Sequence, residues 1–243
     1  MNKSDLCLEW KELGRGNKTG LHKRWIYKDE PTRQIVGDYL QKINFSVQDI
    51  NEVLRDISYN NKNIVFLVTA VDWIVESVHQ ISDSFSKNIL NGFAFTRKNE
   101  YELAYKYLKA MRSFLVAHPL KTEKHSDFSF DGRYICMDVI QCDNSTINML
   151  WHKEECFRYI NHEGMFTGHS QKSDFYLHCY SSDFYENKYN VYVGIKLNDI
   201  LEVARLAIKK VYELDIFFSK LKRKDFVETI PLNHLMKMRG GKI

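Results

Sequence analysis

The chain has 243 residues, of which 44% are hydrophobic, with 15 Phe and 14 Tyr. That is enough apolar material for a sizeable core in one large domain or two small ones, and it excludes a disordered chain. The net charge of +4 neither demands nor rules out a nucleic-acid partner.

Five cysteines, odd in number and without a Cys-x-x-Cys pair, predict reduced thiols in a cytoplasmic protein, since no signal peptide is read at the start. The longest apolar run, residues 64–71, is broken by Thr69 and closed by Asp72. It falls well short of the ~20 residues of a membrane span, so no membrane is expected.

Residues 1–30 read as an irregular arm whose Leu6, Leu8 and Trp10 tuck onto the core. The stretch from Gly14 to Gly20 is rich in glycine, but no strand precedes it and the lysine and hydroxyl spacing of a phosphate loop is missing. His22, Lys23, Arg24 and Lys28 surround Trp25 and Tyr27. Such a cluster can stack a base and touch phosphate, or simply be a solvated arm with two anchoring rings.

A first helix is predicted over residues 31–43, opened by Pro31, with Ile35, Tyr39 and Leu40 inward. A second is predicted to start at Ser46, because Ser46 followed three residues later by Asp49 is a capping pattern. The three asparagines Asn60, Asn61 and Asn63 mark a turn. Residues 64–85 then form the predicted central helix, with Ile64, Leu67, Val68, Val71, Ile74, Val75, Val78, Ile81 and Phe85 on its buried side. Asp72 and Glu76 lie four apart beside that stripe, with His79 one turn further. Two carboxylates can do acid-base work or bind metal, but nothing else converges on them, and a solvated polar strip is the simpler reading.

Residues 101–120 form a helix with one buried stripe, Ala104, Tyr107, Leu108, Met111, Phe114 and Leu115. Pro119 stops it. Arg112 borders the stripe, and His118 falls six positions later. Six residues at about 100° each set them roughly 120° apart on a regular helix, so they share a face only if the last turn loosens before Pro119, although both could line one cleft if a second copy of the helix packed across it.

After residue 120 the character changes. Residues 133–141 and the pair 174–180 and 189–197 alternate like strands, the last two forming a hairpin. Residues 144–159 read as a helix and 161–173 as a loop. Asn198 is expected to cap a final helix to about residue 224, with Lys209, Lys210, Lys220, Lys222, Arg223 and Lys224 on its outer face. The expected fold class is α+β, mainly α: a helical bundle with a small antiparallel β insertion. Its domain plan is an irregular arm over 1–30 and a single domain over 31–243, with the β-containing insertion at about 121–197 and the closing helix at about 198–225.

The segment Arg112-Ser-Phe-Leu-Val-Ala-His118, followed by Pro119, resembles the Arg-x4-6-His motif of the HEPN superfamily of helical proteins. Many HEPN proteins are metal-independent ribonucleases of toxin, antiphage and abortive-infection systems. The resemblance implies a HEPN-like helical bundle, Arg112 and His118 as the catalytic pair, a homodimer in which both motifs face one cleft, RNA as substrate, and a cognate antitoxin or regulatory protein as partner. Arginine offers a fork to phosphate oxygens, and histidine moves a proton near neutral pH. Ser113 stands where the family carries Asn, Asp or His. A non-catalytic HEPN-like module binding nucleotide, RNA or protein is therefore the alternative.

Tyr105, Ser113 and His125 are candidate substrate-binding residues beside this pair. Arg112 reaching solvent and His118 capping the helix end is the plain structural alternative. His152, Cys156, His162, His169, His178 and Cys179 match no compact zinc spacing, and His178 and Cys179 point to opposite faces of a strand. Neither a metal nor another cofactor is expected.

Overall fold

The computed structural model describes residues 6–10, 25, 27–85, 87–117, 134–141, 157–161, 164–167, 173–181 and 189–221. In chain order these form helix α1 (Glu30–Arg55), α2 (Asn61–Asp83), a short α3 (Lys87–Leu90) and α4 (Lys98–Arg112). A single π-helical turn (Ser113–Ala117) continues α4. Strands β1 (Tyr134–Gln141), β2 (Phe157–Asn161), β3 (Gly164–Thr167), β4 (Phe175–Ser181) and β5 (Tyr189–Ile195) follow, and then helix α5 (Leu197–Lys220). The fold is α+β and mainly α, as its periodicities predict.

Helix α1 is one unbroken element, where two helices were expected. Its start is capped by Asp29, whose carboxylate accepts from the amide of Thr32. Val36, Leu40, Ile43, Val47, Ile50 and Leu54 are all buried and recur at alternating spacings of four and three. That stripe runs straight through Ser46, so burying one continuous face outweighs a capping pattern that would interrupt it. Ser46 is itself fully buried, and its hydroxyl finds no hydrogen-bond partner among the described residues. Ile35, expected inward, is 48% exposed because it falls off this stripe.

Helix α2 lies at the centre. Every apolar position assigned to its buried side is buried, from Ile64 to Phe85 just past its end. It packs against α1, α4, α5, the π-turn and β1. Asn60 caps it, accepting from the amide of Asn63 at 2.9 Å. Next to that cap, Asn61 accepts from the amide of Val139 and donates to Asp138. This pins the helix start to β1 beside the register shift between Cys136 and Asp138. By length and composition α2 passes as a membrane span, although its longest uninterrupted apolar run does not. As 61% of that apolar window is buried inside the fold, core packing accounts for its apolarity.

The five strands lie in the order β1-β4-β5-β2-β3. Three pairings are antiparallel, and β2 pairs with β5 in parallel. The sheet is thus mixed, where an antiparallel one was expected. The hairpin of β4 and β5 stands as predicted. Phe157, Arg158 and Tyr159, read as the end of a helix, belong to β2, and Gly164–Thr167, read as loop, is β3. Pairing with β5 decides the state of β2, a contact distant in sequence that local periodicity does not reveal. Val139, Leu177, Cys179, Val191 and Val193 join the helical core. On the opposite face, Phe157, Tyr192 and His178 stack in a row.

Helix α5 starts one residue before Asn198, and Asn198 does not cap it. The first amide of the helix, that of Leu197, donates to the carboxylate of Asp174, just ahead of β4, at 2.8 Å. Asn198 instead accepts from Arg205.

The described part of the arm is anchored. Leu6, Leu8 and Trp25 are buried in the same core. Trp25 stacks on Phe218 and donates to Asp215 at 3.0 Å, while Tyr27 packs on Phe85. Of the two readings of that cluster, Trp25 and Tyr27 follow the anchoring one; His22, Lys23 and Arg24 lie outside the described residues.

Candidate functional site

The side of α2 that faces α4 carries Asp72, Glu76, His79 and Asp83, spaced four, three and four apart. Helix α4 answers with Tyr101, Tyr105, Lys109 and Arg112, spaced four, four and three apart. Each set makes one stripe on its helix. The contacts between them run in opposite sequence order: Arg112 meets Asp72, Tyr105 meets Glu76, and Tyr101 meets His79. The two helices are therefore antiparallel along this seam.

Arg112 occupies the last turn of α4, where the backbone opens into the π-turn. Nη1 of Arg112 donates to both carboxylate oxygens of Asp72, at 3.1 and 3.2 Å. The arginine side chain keeps 43% of its surface in water, while that of Asp72 keeps 12%. Burial pushes the Asp72 carboxyl above its usual range; Arg112 opposes that shift, and Glu76 adds to it. The ion pair thus balances a desolvated carboxylate against a cation that reaches solvent. Among the described residues Nε and Nη2 of Arg112 make no hydrogen bond, so one edge of its fork stays open beside an oriented charge.

Tyr105, the candidate substrate residue, turns its hydroxyl to Glu76 at 3.4 Å, and Lys109 lies 4.2 Å above its ring. It is seven residues, or about 10 Å along the axis, from Arg112 and on the same face. Ser113 follows Arg112 directly and is half-buried as the first residue of the π-turn. In that turn Phe114 and Leu115 remain buried, whereas Val116 is exposed. A π-turn rotates each residue less about the axis than an α-turn, so the regular helical register ends at Arg112. His118 and His125 lie outside the described residues, as do His152, Cys156, His162 and His169.

Asp72, His79 and Lys210 were not singled out as site residues from the sequence. Asp72 was read as part of a solvated strip, yet it is buried and paired. The hydroxyl of Tyr101 lies 3.1 Å from Nε2 of His79, which also meets the ring of Tyr105 edge-on at 4.7 Å. Burial and then Lys210 hold the His79 pKa below its ordinary value. Lys210, assigned to the outer face of the last helix, instead turns toward this seam, 5.3 Å from the ring of Tyr101, and burial lowers its pKa. The matching charge order of the two stripes was the available signal, readable only once their antiparallel pairing is known.

Among the described residues no group of three or more His, Cys, Asp or Glu side chains could hold a metal. His178 stacks on Tyr192 at 4.9 Å, while Cys179 faces the helical core, on opposite faces as expected. Compared with protein-family models, curated proteins and solved structures, the chain shows no significant match.

Proposed function

We propose that the chain is a HEPN-like endoribonuclease that works without metal in the cytoplasm, as part of a toxin or antiphage defence system. The observation that carries this reading is Arg112 itself: half exposed at the opened end of α4, fixed through one nitrogen by a buried carboxylate, with the rest of its fork free among the described residues. In this reading His118 takes the proton of an RNA 2′-hydroxyl. The 2′-oxygen attacks phosphorus, the bond to the 5′-oxygen breaks, and that oxygen leaves with a proton from an acid. Arg112 offsets the charge that builds on the phosphate oxygens. A second copy brings its own Arg112 and His118 to the same cleft, so the working unit is a homodimer. A cognate antitoxin would restrain it.

The test replaces Arg112 and His118 singly with Ala, then measures growth arrest on expression and cleavage of a total RNA pool. Both variants should lose both effects and remain folded. A wild-type protein that neither cleaves RNA nor arrests growth sinks the enzyme reading.

One observation favours a second reading. Arg112 already has a carboxylate partner, and the neighbouring Ser113 departs from the family pattern. A non-catalytic HEPN-like module would bind RNA or nucleotide without turnover. RNA affinity that falls steeply with salt, with the RNA recovered intact, distinguishes it. A protein partner is indicated if affinity for that partner barely responds to salt.

A further inference from the structure

Helices α1 and α4 both pack on α2 but hardly touch each other. Between them α2 turns one stripe toward water: Thr69, Trp73, Glu76 and Gln80, spaced four, three and four apart. Trp73 is 38% exposed, and Glu76 is half-buried. This stripe is the floor of a trough with a helix on either bank. From α1, the ammonium of Lys42 lies 3.4 Å from the centre of the Trp73 ring. From α4, Tyr105 reaches Glu76, and Arg112 pairs with Asp72, the residue before Trp73.

Hydrogen-bonding capacity is left over at two points of the trough. Nε and Nη2 of Arg112 donate to no described residue. Glu76 accepts only from the Tyr105 hydroxyl, through Oε1 at a long 3.4 Å, and its Oε2 accepts from no described residue. Lys42 and Lys109 do not neutralise Glu76; each lies over a ring instead. Asp72 and Glu76 are four residues apart, about 6 Å along α2, so one nucleotide can reach from the Arg112 fork to the Glu76 carboxylate.

A carboxylate only accepts, and its two oxygens suit two donors side by side. Among the four RNA bases, guanine alone presents such a pair, N1–H and the 2-amino group. Adenine and cytosine set an amino group beside an acceptor nitrogen, and uracil sets one N–H between two carbonyls. That edge of guanine is free only in an unpaired strand.

We propose that the trough binds single-stranded RNA and reads guanine. Arg112 holds a phosphate, Glu76 accepts from N1–H and the 2-amino group, and the base stacks on Trp73. An exposed cation–π contact is weaker than a stacked base, so Lys42 yields the ring and moves to a phosphate oxygen. The proposal deepens the ribonuclease reading and rests on it for the role of Arg112.

The experiment uses the full chain and short fluorescent 2′-O-methyl oligomers, which lack the hydroxyl needed for cleavage. Each is an adenosine tract with guanine, inosine or adenine at its centre. Guanine should bind about tenfold tighter than inosine, which lacks the 2-amino donor, and at least as much tighter than adenine. Glu76→Gln should erase these differences with circular dichroism unchanged. Trp73→Ala should weaken all three about tenfold and leave guanine first. Equal binding of the three, binding of none, or a guanine preference that survives Glu76→Gln overturns the proposal. Unmodified oligomers separate it from the ribonuclease reading. Cleavage that ignores guanine overturns the proposal and leaves the nuclease standing. Guanine-selective binding that Glu76→Gln abolishes, without any cleavage, supports the trough and sinks the nuclease.

Discussion

The two sides of α2 use the same backbone for opposite purposes. Toward α1 and α5 the helix presents Ile64, Leu67, Val71, Ile74, Val75 and Val78, all with no exposed surface. Toward α4 it presents a carboxylate, a second carboxylate and an imidazole, each matched by a polar group across the seam. The first side gains stability from removing apolar area from water. On the second, desolvation works against the charged forms of Asp72 and His79, and the partners only offset it. The contrast teaches that stability and chemistry are held by residues three or four positions apart on one helix, so single substitutions can separate them.

The largest effect belongs to the apolar side. Ile74→Ala should cost about 2–5 kcal/mol in chemical denaturation, because a fully buried side chain leaves a cavity. A loss under ~1 kcal/mol would mean that this side is not the core.

The seam should behave asymmetrically. Arg112→Ala leaves Asp72 shielded without its cation and should cost about 1 kcal/mol, limited by the solvent that already screens the pair. Asp72→Asn removes the desolvated charge and should change stability by less than ~0.5 kcal/mol, or raise it. The Arg112→Ala penalty should fade on acidification toward pH 4, as the raised Asp72 carboxyl takes up its proton. Urea melts of both variants across that range check this; an Asp72→Asn loss larger than the Arg112→Ala loss would reverse the assignment. Ser46→Ala, on the α1 helix that covers the apolar side, should gain about 1 kcal/mol by deleting a buried hydroxyl without a partner in a helix interior. Destabilisation there would reveal a partner for that hydroxyl.

How much of this was legible in the sequence differs between the same two sides. The apolar stripe of α2 was complete in its spacing, because burial repeats at the helical period whatever packs against it. The seam was not. Arg112 and Asp72 are 40 residues apart, and a wheel of either helix says which residues share a face without saying which helix answers it. Arg112 was found through its motif, while Asp72 and His79 were left as a solvated strip. Ser46 and Asn198 failed for a related reason: capping residues are common, and only tertiary packing decides whether a helix starts at one. Strand β2 escaped because it pairs with β5, from a distant part of the chain, and β3 escaped with it, since β3 pairs only with β2.

The smallest effect expected is also the one that tests whether the seam is sealed from water. His79 is met by Tyr101, Tyr105 and Lys109 from α4, by Glu76 and Asp83 from its own helix, and by Lys210 from α5. Glu76 and Asp83 favour its protonation, but burial and the two lysines prevail, and its folded pKa falls below the ordinary 6.5. The unfolded chain then takes up the proton first. The stability contributed by neutral His79 is present above pH 6.5 and declines as pH drops through 6.5 toward the folded value. His79→Gln can keep a hydrogen bond to Tyr101 but does not titrate. Its stability should therefore fall less between pH 7 and pH 5 than that of the parent chain, and the two should run parallel above pH 7. Parallel curves across the whole range would mean that the imidazole is hydrated, and that the seam between α2 and α4 stands open to solvent along its length rather than only at Arg112.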